Sequence, residues 1–420
     1  MEQMHVTLII LVIAMILFIT EFVSYTATAL FVPITLYLTG VLDATEIVFG
    51  LTNGGVLLCA AMFIIGGTLL SSGLAKSVGH IITVRFKKER SAMLTLMLTS
   101  IVLSSFIGNM GSATVMVTLA IGVCQTKKEM KLSKLLMAIA FGCSLGGMNT
   151  LVGTPPNLLA RSYLVENNLG TIGFFEFAKI GIPMGLVGLI YMYFIGYKLS
   201  PLKDINIKNM SSSRESNLTD KKSQFIIGVV FIGVIIGMAL EQIIKIPVHI
   251  TAFTGVLILL FSKTIDDKQA YNYIQWPAVY LVAGMLPLAN AMTKTDAADF
   301  IANSLIDLIG QNVSMMMLIA VLFMLALVLT QTMSNTASTA LLIPIAASVS
   351  TNLGLNPLTT IMAVLVGAQC AFITPIATPH NTYIMGIAKY KFTDFVKIGL
   401  PMAFLSLIVI LVILPIFWLF

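Results

Sequence analysis

The sequence predicts an all-α polytopic membrane protein made of two inverted repeats. Each repeat holds about five transmembrane helices, one re-entrant helical hairpin and one broken helix. Three observations predict this: the composition, an internal duplication, and the distribution of basic residues. The chain has 420 residues, 58% of them hydrophobic and only 10% charged, against about 25% charged in soluble chains. Mean hydropathy is +0.98. Apolar stretches of about 20 residues, enough to cross a bilayer, recur from Val6 to the C-terminus. They are continuous rather than alternating, which excludes a β-barrel. The start, MEQMHVTLIILVIAMILF, has no basic leader and no small-residue cleavage site. It reads as a spanning helix and not a removable signal. The four cysteines lie in apolar segments without paired spacing and read as small core residues.

The duplication is visible in short motifs. KIGIPM at Lys179–Met184 returns as KIGLPM at Lys397–Met402. Upstream, VGTPPN (Val152–Asn157) matches IATPHN (Ile376–Asn381), and GNMGSATVMVTLA (Gly108–Ala120) matches SNTASTALLIPIA (Ser334–Ala346). Further back, TAL at Thr28 faces TAF at Thr251. The order is kept throughout. The first repeat therefore covers 1–200 and the second 224–420, and a polar segment, 201–223, reads as a solvated cytoplasmic linker.

Basic residues set the sides. Helices are expected near Val6–Val23, Ser24–Val41 and Val48–Leu74. The apolar stretch 91–126 follows, with RFKKER before it and KKEMKLSK after it. It is about twice the length one helix needs, yet both ends belong on the positive, cytoplasmic side. A hairpin turning at Gly108-Asn109 inside the membrane meets both demands. A broken span (135–164) and a further span (Ile180–Tyr197) complete five crossings, so the second repeat is expected to be inverted. Its hairpin, near 301–350, and its broken helix, near 357–388, have no Lys or Arg from Asp296 to Ala388. Of the 24 lysines and arginines, only Arg161, Lys179, Lys245 and Lys294 fall outside in this topology. The formal charge of +6 is thus a membrane-sidedness signal, and no nucleic-acid partner is expected. The expected location is the cell membrane, the bacterial inner membrane by this topology.

Two elements per repeat interrupt the apolar pattern: the tips Gly108-Asn109-Met110 and Ser334-Asn335-Thr336, and the breaks GGMNTLVGTPPN and ITPIATPHN. Pro155, Pro156 and Pro379 cannot continue a helical ladder. Backbone freed this way is tolerated at membrane depth only where it is buried in protein or lines a cavity. Freed carbonyls suit a hard cation such as sodium, and the helix N-termini beyond suit an anion. Broken helices in inverted repeats are characteristic of secondary transporters. Plainer roles compete for single residues. An Asn can serve helix–helix hydrogen bonding. Ser104 and Thr330, on the faces of the two tips, can bond their own i−4 carbonyls, and Thr154 and Thr378 can act as caps. Gly146-Gly147 reads as a close-packing pair. Glu21 and Arg161 lie near span ends and read as snorkelling or locally paired charges. His380 stands where the other repeat has Pro156; it is either a pH-sensitive group beside the site or a plain helix-start residue.

The chain has no GxxxxGK[ST], HExxH or paired CxxC motif, so neither ATP hydrolysis by this chain nor any other enzymatic activity is expected.

MSNTASTALLIPIA with TPIATPHN, and GTPPN in the other half, resemble the divalent anion/sodium symporter family over nearly the whole chain. The resemblance implies an elevator-type carrier of dicarboxylates, citrate or sulfate, usually a homodimer in the lipid bilayer, with Na+ as coupling ion. Carried over residue by residue, one sodium site would use Ser104, Gly108, Asn109 and Gly153. The other would use Thr330, the Met333 carbonyl, Asn335 and Ala377. The small anionic substrate would meet Asn109, Thr154, Pro155, Ser334, Asn335, Thr336, Thr378 and Pro379. The sequence departs from the family pattern in three ways. Gly108-Asn109-Met110 lacks the hydroxyls of a Ser-Asn-Thr tip, His380 replaces a proline, and no helix precedes the first repeat, which would place the N-terminus outside.

The leading expectation is sodium-coupled symport of a dicarboxylate or similar divalent anion. A sodium-independent exchanger or a proton-coupled carrier is the alternative within transport. The membrane subunit of an ATP-driven anion pump, or a channel, is the alternative of another class.

Overall fold

The computed structural model describes residues 2–74, 88–127, 129–203, 205, 220–310 and 314–418, and every regular element among them is helical. Most of the expected linker, and the basic residues between 75 and 87, lie outside the described residues.

Helices α1 (Gln3–Thr20) and α2 (Tyr25–Leu38) meet at Glu21, whose left-handed φ of 51° ends the first. The Ser24 hydroxyl caps the second by accepting from the Ala27 N–H at 3.2 Å. Glu21 accepts from the Tyr25 hydroxyl at 2.5 Å, a local pairing of the kind expected for it. A capping box at Asp43 and Glu46 opens α3 (Ala44–Thr52). Asn53 then turns extended and caps α4 (Gly54–Ser71). A hairpin of α5 (Glu89–Ile107) and α6 (Asn109–Thr126) comes next, then α7 (Leu132–Gly147), α8 (Pro155–Glu166) and α9 (Ala178–Leu199), which carries a π turn at Met192–Gly196.

The second half ends in the same order of hairpin, broken helix and long helix. Helices α10 (Lys221–Ala239), α11 (Glu241–Ile244), α12 (Val248–Phe261), α13 (Asp267–Tyr273), α14 (Trp276–Lys294) and α15 (Ala297–Ile309) precede a second hairpin, α16 (Met315–Thr330) and α17 (Asn335–Asn352). Then come α18 (Pro357–Gln369), α19 (Pro379–Ala388) and α20 (Phe392–Trp418). Among the described residues, six helical stretches have the length and apolar character to cross a bilayer: α1, α3–α4 together, α5, α9, α10 and α20.

The first hairpin returns on itself. The Lys131 N–H donates to Glu89 Oε1 at 2.7 Å, so the start of α5 meets the chain just beyond α6. The second hairpin differs from the expectation near 301, because its first limb starts only at Met315. Gly310, at φ +99°, closes α15, and the Ser314 hydroxyl starts α16 afresh by capping the Met317 N–H. Helix α15 buries Ala298, Ala302 and Ile306 while exposing Phe300 and Leu308. It is an amphipathic helix in its own right, not part of the hairpin.

Packing sorts the helices into two bodies. In one, α14 lies against α2 and α3, and α12 against α4 and α10. In the other, each hairpin grips the first half of a broken helix: α5 and α6 hold α7, while α16 and α17 hold α18. The second halves cross over, α8 packing on α17 and α18, and α19 on α6 and α7. Helices α14 and α15 meet α17, and α4 and α14 meet α8, joining the bodies.

The duplicated hexapeptide has a physical reason. A Cβ on Gly181 would lie 2.6 Å from the Met148 carbonyl, and one on Gly399 2.0 Å from the Phe372 carbonyl. Helices α9 and α20 thus cross the break of the preceding helix backbone to backbone, which only glycine allows. The Tyr191 hydroxyl donates to the Ile398 carbonyl at 2.7 Å, tying the two copies together.

Candidate functional site

Each hairpin tip carries a small cluster of oxygens. Helix α5 stops at Gly108, whose φ of +76° suits glycine, and α6 starts at Asn109. Ser104 Oγ lies 2.7 Å from Asn109 Oδ1 and 2.8 Å from the Cys143 carbonyl of α7. The second repeat repeats the geometry: Thr330 Oγ1 lies 2.8 Å from Asn335 Oδ1 and 2.6 Å from the Ala368 carbonyl of α18. A hydroxyl has one proton and can donate to one acceptor at a time. With the amide oxygen turned inward, each fully buried hydroxyl thus sits in a trio of neutral oxygens with one proton to share. Such a trio suits a monovalent cation. Divalent hard cations are usually held by carboxylates, and no group of three or more His, Cys, Asp or Glu occurs among the described residues.

The breaks are stitched to the tips by matched contacts. In the first, Asn157 Nδ2 donates to the carbonyls of Gly147 (3.0 Å) and Thr150 (2.7 Å). Ser105 Oγ bonds the Gly146 carbonyl at 3.1 Å, and the Thr150 hydroxyl returns to the Ser105 carbonyl. In the second, Asn381 Nδ2 donates to the Ala371 carbonyl at 3.0 Å. Gln331 takes the place of Ser105: its Oε1 accepts from the Thr374 N–H and its carbonyl from the Thr374 hydroxyl, each at 3.1 Å. The carbonyls left by each break are thereby held at fixed positions instead of being left without partners.

The structure brings Ser104, Gly108, Asn109, Gly153 and Thr154 together. A Cβ on Gly147 would touch both Thr154 Cγ2 (2.5 Å) and Asn109 Oδ1 (2.6 Å), and Gly108 faces the Gly153 carbonyl. Thr330 and Asn335 meet directly. Met333, Thr336, Ala377 and Thr378 are buried on the second tip and break; among the described residues no hydrogen bond joins them to Asn335. Ser334 caps α17 through the Ala337 N–H at 3.2 Å. Pro155 and Pro379 open α8 and α19 at the first turn, where proline fits. Thr378 Oγ1 is buried with no hydrogen-bond partner among the described residues, whereas its counterpart Thr154 Oγ1 donates to Gln369 Oε1 at 3.0 Å. His380 is buried against Ser144, with Nε2 2.9 Å from Oγ. Arg161 is paired, but not locally: Nη2 lies 2.7 Å from both carboxylate oxygens of Glu241, which is 80 residues along the chain.

Sequence reasoning missed the Cys143 and Ala368 carbonyls, since every residue has one and only the fold selects it. It also passed over Ser105, Gln331, Asn157 and Asn381. A signal existed: Asn157 and Asn381 end the two matched Thr-Pro motifs, and Ser105 and Gln331 directly follow Ser104 and Thr330.

Residues 15–367 match a family described as "Citrate transporter". The chain is 23% identical to the uncharacterized transporter YfbS of Escherichia coli, over 97% of this chain and 98% of that one. It is 25% identical to the sodium-dependent dicarboxylate transporter SdcS of Staphylococcus saprophyticus, over 94% and 82% respectively. Its fold resembles the crystal structure of the Alcanivorax borkumensis YdaH transporter, whose topology is described as unusual, with a TM-score of 0.66 at 14% identity over 89% of both chains. Apolar spans, paired hairpins and broken helices, and a family match over most of the sequence lead to one assignment: the chain is a multi-pass cell-membrane protein belonging to the citrate transporter family.

Proposed function

We propose that this protein is a secondary active transporter coupling sodium to the movement of a small di- or tricarboxylate or similar divalent anion. The observation that carries the proposal is the duplicated oxygen trio at Ser104/Asn109/Cys143 and Thr330/Asn335/Ala368. Two neutral cation-sized clusters, one per repeat, suit two sodium ions. The N-termini of α6, α8, α17 and α19 beside them, with the buried Thr378 hydroxyl, suit the negative charge of the substrate. The similarity to sodium-dependent dicarboxylate transporters supports the same reading.

In this reading the two repeats have opposite orientation. The body of hairpins and broken helices moves as a unit against the body built around α2, α4, α12 and α14, in an elevator-like step. The functional unit is a homodimer, and the protein does no enzymatic chemistry. The proton-coupled alternative has less support, since the His380 ring is engaged by Ser144 instead of facing an open site.

The test is uptake of labelled citrate and succinate by proteoliposomes carrying the purified protein, with an imposed inward sodium gradient. Stimulation over equal potassium or choline is expected. Uptake driven equally well by potassium, or by a proton gradient alone, removes sodium from the mechanism.

A further inference from the structure

The two sites are joined by a reciprocal pair of side chains that no motif singles out. Gln369 directly follows Ala368, whose carbonyl belongs to the second oxygen trio. Its side chain crosses to the other repeat, where Oε1 accepts from the Thr154 hydroxyl at 3.0 Å and Nε2 donates to Asn157 Oδ1 at 2.7 Å. Ser144 directly follows Cys143, whose carbonyl belongs to the first trio, and it too crosses over, to His380 at 2.9 Å.

The two bridges start from equivalent positions and end on neighbouring, not identical, positions of the matched Thr-Pro motifs. Gln369 and Ser144 each come one residue after a trio carbonyl. Their partners, Asn157 with Thr154 and His380 beside Thr378, open the second half of the opposite broken helix. Their sizes are exchanged: a long Gln reaches a helix start with Pro156, and a short Ser meets a long His. All four side chains at these contacts, Gln369, Asn157, Ser144 and His380, are at most 3% exposed. No lipid or bulk water competes for these bonds, so each is worth more than at a surface and costs more to break.

We propose that Gln369 is a positioning residue that couples the two cation sites, with Ser144–His380 as its reciprocal. The inference rests on the two-site sodium reading. A cation drawn into the second trio pulls on the Ala368 carbonyl. The adjacent Gln369 amide transmits that shift to Asn157, which holds the Gly147 and Thr150 carbonyls of the first break, and to Thr154 beside Asn109. The path returns from Cys143 through Ser144 and His380 to the start of α19. Binding at either site then favours the other, and by thermodynamic reciprocity to the same degree.

The experiment measures the unfolding temperature of the purified full chain against sodium chloride, with choline chloride holding the salt constant. Wild type is expected to respond with a Hill coefficient above 1. Gln369→Leu should lower that coefficient toward 1 and raise the half-saturating sodium by about fivefold or more, and Ser144→Ala should act in the same direction. Wild-type steepness and midpoint in Gln369→Leu overturn the proposal. Should Gln369→Leu not fold, Gln369→Glu keeps the acceptor toward Thr154, loses the donor toward Asn157, and is judged by the same criterion.

A wild type indifferent to sodium sinks the sodium reading but not this test. Hydrogen exchange of Asn335→Ala then decides: faster exchange across Met148–Thr154, in the opposite repeat, supports the coupling, and unchanged exchange there overturns it.

Discussion

Replacing Glu241 by Gln should destabilise the protein far more than loss of an exposed charge would. Glu241 starts α11, in the body built around α14, and its partner Arg161 lies on α8, in the other body. The contact is 2.7 Å, and the two side chains are only 23% and 15% exposed. Two charges about 4 Å apart at an effective dielectric of about 20 attract by about 4 kcal/mol, an upper figure before desolvation. The substitution also leaves a cation largely enclosed: Arg161 Nη1 is already buried with no partner among the described residues, and an amide in place of the carboxylate offers Nη2 an oxygen but no charge. Removing one partner of a buried pair typically costs about 3–5 kcal/mol. With the residual exposure, the low end, about 3 kcal/mol, is expected here. The assay is a double-mutant cycle with Arg161→Met and Glu241→Gln, read by thermal unfolding in detergent. The double variant should be clearly more stable than the sum of the single losses requires, with a coupling of about 1.5 kcal/mol or more. A coupling below about 0.5 kcal/mol, the range of exposed pairs, would refute the view that this bridge is an enclosed latch between the bodies.

Three further outcomes are expected. Asn109→Ala and Asn335→Ala should each abolish sodium-stimulated uptake in proteoliposomes while inserting and folding; near-normal transport by either would remove that residue from the site. Gly399→Ala puts a methyl 2.0 Å from the Phe372 carbonyl, and α20 cannot retreat without leaving α18, so a loss of at least about 1–3 kcal/mol should appear as a lower unfolding temperature; an unchanged value would mean that the crossing is loose. The Asp43 carboxyl is held below its ordinary value of 3.8, first by the Thr45 hydroxyl and then by the Glu46 N–H. Its help to the start of α3 is therefore complete above 3.8 and fades as pH falls through the lower folded-state value. Amide exchange in the first turn of α3 should rise only in that acid range, and Asp43→Asn should remove the step.

Much of the architecture is written in residue types whose effect is local. Pro155, Pro156 and Pro379 fit the first turn of a helix, and here they open α8 and α19; Gly108 permits a turn that few other residues would adopt. The paired basic flanks of 91–126 demanded a chain that returns, and the Glu89–Lys131 contact is that return. The second hairpin was harder to delimit. No basic residue marks its start, and the boundary between α15 and α16 rests on Gly310 and Ser314, which read from sequence like any loop pair. At the candidate site, Asn109, Asn335, Ser104 and Thr330 stood out because they are polar where the pattern is apolar. The carbonyls of Cys143 and Ala368 carried no such mark.

By itself the sequence determined that this chain lives in a bilayer, that it is written twice, and where each copy must break and bend, because hydropathy, proline and glycine act over a few residues at a time. The tertiary structure decided which backbone oxygens converge on Ser104 and Thr330, and that Gln369 and His380 reach across to the opposite copy. Those facts depend on how α8 and α19 cross between the two hairpins, a packing between segments far apart in the chain that no local propensity encodes.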